Sequence, residues 1–178
     1  MSIEIYLKKE EKIKQVLKNI ENNNSILQEE VLLKNITNEE KLNCFSSFFS
    51  KIEAEEKELI ITDPYLFKES KNKKEDDEYC NILAKIIMKA KAKSIRVITN
   101  YRNYNNDIHK KIENKLTQDI KIIWNDDFHD RFWIADRKKG FYTGTSINGL
   151  GKRITLINLL SKDEVKIIID ELNKKECL

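Results

Sequence analysis

The chain is short of residues that break or staple a fold: its 178 residues include four glycines, one proline and three cysteines. Cys44, Cys80 and Cys177 are widely separated and form no Cys-x-x-Cys pair. They fit reduced thiols in the cytoplasm and leave no pair for zinc or redox work. No run approaches the ~18 apolar residues that a membrane-spanning helix needs, and Met1-Ser2-Ile3-Glu4 carries no signal-peptide pattern. A soluble cytoplasmic protein is expected. A net charge of +3 is too small to imply a nucleic-acid partner by itself, and the interleaved Lys and Glu residues read as solvated helix faces with i,i+4 pairs. Hydrophobic content of 40% is enough for a core, and the length suits one domain with a small appendage. The Lys, Asn and Ile bias is in keeping with an AT-rich, bacterial genome.

Because glycine is scarce, its placement carries information. Gly140, Gly144, Gly149 and Gly151 all fall just after His129-Asp130-Arg131-Phe132-Trp133-Ile134-Ala135-Asp136. Unrestricted backbone is needed where a strand turns sharply and where main-chain N–H groups approach a ligand closely, phosphate being the obvious candidate. If Arg131 to Asp136 is a strand, alternation puts His129, Arg131, Trp133 and Ala135 on one face and Phe132, Ile134 and Asp136 on the other. An imidazole beside a guanidinium can attack or bind a phosphodiester, because the planar fork grips phosphate oxygens in two places. Asp136 reaches His129 only if a bulge intervenes. Arg137-Lys138-Lys139-Gly140 reads as a hairpin loop and Phe141-Tyr142-Thr143 as the returning strand. Gly144-Thr145-Ser146-Ile147-Asn148-Gly149 closes the next turn with hydroxyl and amide groups for phosphate oxygens, and Lys152 and Arg153 add positive charge.

Two other histidine settings carry less. Asp126, Asp127, His129 and Asp130 have the chemistry of Mg, Mn or Zn ligands, but neighbours on a strand point to opposite faces and do not converge. No metal is expected. His109, in Ile108-His109-Lys110-Lys111, is expected to face solvent from a helix.

Helical spacing of Ile13, Val16, Leu17 and Ile20 predicts a helix over residues 3–21, ended by Asn22-Asn23-Asn24. Ser25 to Asn35 is ambiguous between helix and strand. Thr37-Asn38-Glu39-Glu40 reads as a helix start, with Leu42, Phe45, Phe48, Phe49 and Ile52 as the buried stripe. Residues 1–56 are therefore expected to form an N-terminal helical extension that packs on the main domain or engages a protein partner. Residues 57–178 alternate as an α/β domain around a mixed, largely parallel sheet flanked by helices. The expected order is strand Leu59–Thr62, a charged loop Glu69–Glu78, helix Tyr79–Lys91, strand Ser94–Thr99, helix Asp107–Leu116, strand Ile120–Trp124, the hairpin, strand Ile154–Leu159 and helix Lys162–Lys174. Ligands bind beyond the carboxyl ends of such strands, so Asp63, Asn100 and the turn before His129 are expected on one rim. Asp63 there either holds the His129 tautomer or caps a turn.

His129-x-Arg131-x4-Asp136 followed by Gly144-Thr145-Ser146-Ile147-Asn148 resembles the half-site motif of the phospholipase D superfamily, His-x-Lys-x4-Asp and then Gly-Ser-x-Asn. His129 matches the family nucleophile and Asp136 its Asp. Gly144 and Asn148 match the ends of the second element, and Ser146 or Thr145 its hydroxyl. Arg131 stands in place of Lys, and one extra residue precedes the glycine element. The His-Asp-Arg form is also similar to the phospholipase D-like domain at the C-terminus of some MIT-domain proteins, regarded as a lipid-binding module.

The resemblance implies a phospholipase D-like half with His129, Arg131, Asp136, Ser146 and Asn148 as catalytic residues. Arg131, Gly144, Thr145, Ser146, Asn148 and Lys152 would hold phosphate. Enzymes of the family use two histidines, one forming a phosphohistidine and the other protonating the leaving group. A chain with one motif would therefore work as a homodimer, without metal or cofactor. The implied activity is that of a phosphodiesterase, with nucleic acid as substrate. The alternative is a catalytically silent module that binds phosphate groups of an anionic membrane surface or of nucleic acid, or docks a partner protein. Arg131 and the lone motif favour binding; the retained imidazole favours chemistry.

Overall fold

Strand-forming runs rich in Ile and Val at Glu58–Thr62 (β2), Ser94–Thr99 (β3) and Ile120–Trp124 (β4) form the parallel wing of one seven-stranded sheet. The computed structural model describes residues 29–70 and 72–178, so the helix expected over residues 3–21 and the break after it lie outside the described residues. Helices Lys73–Lys89 (α2) and Asn106–Glu113 (α3) supply the β2–β3 and β3–β4 crossovers, as parallel neighbours require. The other wing is antiparallel. Arg131–Ala135 (β5) pairs with β2 and, through a tight hairpin, with Lys139–Thr143 (β6); Thr155–Leu159 (β7) follows, and Glu29–Leu32 (β1) closes the edge. The order is β1-β7-β6-β5-β2-β3-β4. The sheet is thus mixed, parallel only where helices make the crossovers.

Helix Asn38–Lys51 (α1) begins with the expected signal: Glu40 N donates to Thr37 Oγ1 at 3.1 Å while Thr37 N donates to Glu40 Oε2 at 2.6 Å, a reciprocal capping box. Its stripe of Phe45, Phe48 and Phe49 enters the main core with Trp133 and Phe141 from the sheet and Leu83 and Ile86 from α2. Phe45 stands edge-on to Trp133 and Phe141, with centroids 5.4 and 5.8 Å away, the geometry that aromatic quadrupoles favour. The opposite sheet face is covered by helix Lys162–Lys174 (α4), whose Val165, Ile169 and Leu172 pack on Ile60, Ile98 and Ile134. Among the described residues no helix is long and apolar enough to cross a membrane.

Residues 29–56 pack with the rest of the chain: β1 belongs to the sheet and α1 to the core. Several local expectations are corrected. The Ser25–Asn35 ambiguity resolves over Glu29–Leu32 as a strand in which only Leu32 is buried. The charged segment before Tyr79 is helix from Lys73, capped by Asn72, whose side chain accepts from Lys74 N at 3.0 Å. His109 does not face solvent: its Nδ1 lies 2.8 Å from Tyr104 Oη and its ring stands edge-on to Phe67 at 4.9 Å. The hairpin turns one step earlier than expected. Asp136 and Arg137 take φ of 51° and 58° and Lys138 N donates to Ala135 O at 3.0 Å, a tight turn within the three-residue connection between paired Ala135 and Lys139. Gly140 is inside β6, where an added methyl would meet Ile134 Cγ1 at 2.9 Å and Trp133 O at 3.0 Å. It permits close packing rather than a turn.

If α1 is part of the core, Phe45→Ala lowers stability by about 3–5 kcal/mol, measured by urea unfolding of the full chain. A loss below about 1 kcal/mol would mark α1 as an appendage.

Candidate functional site

The topology gathers the motif, Asp136 excepted, at one end of the sheet. Strands β2, β3 and β4 end there, and β5 starts there because it runs antiparallel to β2. β6 ends there opposite the start of β5, with Arg131 paired to Thr143 and Phe132 to Thr62. Threonine hydroxyls stitch the rim. Thr62 Oγ1 donates to Asp130 O and accepts from Phe132 N, both at 2.9 Å, so it clamps the backbone on either side of Arg131. Thr99 Oγ1 donates to Asp63 O at 2.8 Å, Asn125 N to Thr99 O at 3.0 Å, and Thr143 Oγ1 to Thr145 O at 2.8 Å. Asp63, the β3 end before Asn100, the segment before His129 and the glycine element thus share a rim.

At its centre is a buried carboxylate. Asp63 is 1% exposed. Its Oδ2 accepts Ser146 Oγ–H at 2.6 Å and its Oδ1 accepts Tyr65 N–H at 2.8 Å. Burial pushes the carboxyl up to about 6, against the opposing pull of the Ser146 hydroxyl, the Tyr65 amide and the Arg131 guanidinium. Asp63 thus bonds Ser146 and Tyr65, while His129, for which it was the expected orienting group, is exposed. The second expectation for Asp63, a turn cap, describes its bond to Tyr65 N.

Arg131 starts β5 half-buried, on the same face as Trp133 and Ala135. Its Nε is buried without a hydrogen-bond partner, and its guanidinium carbon stands 5.5 Å from the centre of the Tyr65 ring. His129 lies in the coil two residues earlier. Gly144 is exposed on the turn, and an added Cβ would meet Thr155 Oγ1 at 2.8 Å. Ser146 is 3% exposed. Its hydroxyl proton is committed to Asp63, so it positions the turn from beneath. Thr145 is half-buried beside it. Asn148 and Lys152 face a neighbouring cavity, together with Lys41 and Lys68.

Asp136 is not brought to this rim. It sits in the hairpin turn at the far end of β5, where Lys138 Nζ lies 2.7 Å from its Oδ2 and holds its carboxyl below the usual range. Asp126 lies within 3.8 Å of Arg102 and Asp127 within 2.7 Å of Lys175. Among the described residues no three His, Cys, Asp or Glu side chains converge as metal ligands.

Sequence reading did not select Thr62, Tyr65, Lys41 or Lys68. Thr62 had a local signal, a hydroxyl ending the apolar run Leu59-Ile60-Ile61. The others meet the motif only through the fold.

Asp63 gives a signed pH dependence. Its carboxyl ionises at about 6 when folded, against an ordinary 3.8, so through that window the folded state binds more protons and stability falls as pH rises. Between pH 4 and pH 7 this amounts to roughly 2 kcal/mol. The stability difference between wild type and Asp63→Asn should move by that much in favour of the variant over this range, read by urea denaturation. A difference independent of pH would show that the carboxyl titrates normally.

No protein-family model and no curated protein matches the chain. Among solved structures, NucT from Helicobacter pylori superposes with a TM-score of 0.53 at 12% identity, covering 83% of this chain and 94% of that one. Nuc from Salmonella typhimurium, a phospholipase D family member, superposes with a TM-score of 0.49 at 10% identity, covering 83% and 93%. At these identities the likeness is one of fold. The mixed seven-stranded sheet, flanked by helices on both faces, is an α/β fold similar to that of NucT.

Proposed function

We propose that the protein is a phosphodiesterase that cleaves nucleic acid, with His129 as nucleophile and Arg131 as the phosphate clamp. The observation that carries this reading is the buried, unpartnered Arg131 Nε. With Nε buried, the side chain is held in place at the start of β5, and its terminal nitrogens, which have no carboxylate partner among the described residues, are the part of the fork that a phosphate oxygen can reach. His129, two residues before it and exposed, is free to meet the same phosphate. The Gly144–Asn148 turn, held from below by Ser146 on Asp63, adds backbone and side-chain donors.

In the proposed reaction the His129 imidazole forms a P–N bond as the P–O bond to the leaving oxygen breaks, and that oxygen takes a proton from His129 of a second copy. Water then attacks the phosphohistidine, gives its proton to the second imidazole and releases the first. Arg131 stabilises the charge on the non-bridging oxygens. One motif per chain requires the two copies to meet with their rims together about a two-fold axis.

One observation favours binding without turnover: Asp63, the buried carboxylate of the rim, holds Ser146 rather than His129. Cleavage of labelled single- and double-stranded DNA and RNA, with EDTA throughout, distinguishes the two. The enzyme reading expects metal-free cleavage that falls by about a thousandfold or more in His129→Ala and by about a hundredfold or more in Arg131→Ala. No cleavage by wild type, with binding that is lost in Arg131→Ala, would make the protein a recognition module.

A further inference from the structure

We infer that the cavity next to the rim is a second anion site, which takes the phosphate neighbouring the one gripped by Arg131 on the same nucleic-acid strand. This rests on the nucleic-acid reading above and extends it beyond the reacting phosphate. The cavity measures about 240 Å³, several times the ~30 Å³ share of a water molecule. Lys41, Lys68, Lys152 and Asn148 line it.

The three ammonium groups come from separate segments: Lys41 from the first turns of α1, Lys68 from the turn after β2, and Lys152 from the loop after Ile147–Gly149. None pairs with a carboxylate among the described residues, whereas Lys91, Lys111 and Lys175 do so across the surface. An ammonium group left without a carboxylate partner is open to an arriving anion. The mutual repulsion of the lysines registers on Lys41, which is held below the usual lysine range by burial and then by the charge of Lys152. Glu75, Asp76 and Glu78 of α2 also line the cavity, and Asp76 is occupied by Ser70 N at 2.6 Å.

The lysines are held in place by the backbone. Gly151, with φ of +81°, packs against Ile36 and the Lys41 stem, where an added Cβ would meet Ile36 Cγ1 at 3.3 Å and Lys41 Cε at 3.5 Å. Its carbonyl accepts Asn35 N at 2.8 Å, so the loop bearing Lys152 is fastened beside the start of α1. The cavity also connects with the rim. Tyr65 presents its ring to Arg131 at 5.5 Å and to Lys68 Nζ at 5.3 Å. A strand whose phosphate sits on Arg131 therefore passes one aromatic ring to reach the lysines.

The test is fluorescence anisotropy of a labelled twelve-residue oligothymidylate against salt concentration, with the full chain carrying His129→Ala to prevent cleavage. Lys41→Ala/Lys68→Ala in that background should weaken binding at least about fivefold at low salt. It should also flatten the slope of log affinity against log salt by about 0.7, the value for one single-strand phosphate contact. Lys162→Ala, on the helix of the opposite sheet face, is the control for general loss of charge. An unchanged slope in the double variant, an equal change in the control, or no oligonucleotide binding at all would overturn the site. Hydrolysis of bis(p-nitrophenyl) phosphate by wild type reports on phosphodiesterase chemistry separately. Absence of turnover with the expected slope change would remove the enzyme reading and leave the anion site standing.

Discussion

At the end of β2 a carboxylate lies where water does not reach, and its two oxygens are taken by groups that could not otherwise be neighbours. Tyr65 N is local. Ser146 Oγ is 83 residues away along the chain. A buried carboxyl is tolerated only with its acceptor sites filled, so closing the Asp63–Ser146 bond fixes where the glycine element lies relative to the first parallel strand. Arg131 adds its charge from the start of β5. The rim is thus held by one hydrogen bond between two loops and by a guanidinium that favours the ionised form of the carboxyl. Weakening either lets the Gly144–Asn148 turn shift away from Arg131, the proposed phosphate clamp.

That arrangement depends on register, and the aromatic core sets register. Trp133 and Phe141 stand opposite each other on β5 and β6, with rings stacked at 5.9 Å, and α1 closes over them with Phe45 and Phe49. Sliding β5 by one residue would carry Trp133 to the α4 face and take Arg131 with it. A contact far from the rim therefore decides which way the guanidinium points. This is why β1 and α1, which touch no motif residue through Phe45 or Phe49, are structurally inseparable from the site.

Much of this was legible in the chain, and the failures have particular causes. Alternation in Arg131–Ala135 gave the correct faces because one side meets three helices and the other meets α4, so both needed apolar residues at period two. Glycine as the signal for positive φ misplaces the hairpin turn, because Asp136 and Arg137 adopt that region here, aspartate being among the residues that tolerate it. The start of α2 is hidden in the sequence because Lys73 to Glu78 lacks apolar periodicity; an Asn72 cap and a buried Asp76 carry that turn instead. Edge strand β1 buries one side chain, too few for a pattern. Asp63 was placed on the correct rim by the strand-end rule, but its partner was not, since nothing local connects positions 63 and 146.

The proposed grip and the proposed chemistry are built on different parts of the molecule. Arg131, Lys41 and Lys68 stand on, or directly beside, strands and helices whose packing holds them. The imidazole stands on coil. What ties that coil to the sheet is Thr62, whose hydroxyl binds the carbonyl of Asp130, next to His129, and the amide of Phe132, next to Arg131. One side chain therefore sets the spacing between the proposed nucleophile and the clamp, and it does so without touching a ligand. Positioning to within a few tenths of an ångström is what separates holding a phosphodiester from attacking it. The hydroxyl of Thr62, more than the charge of Arg131, is where the sheet would govern whether bound phosphate reacts.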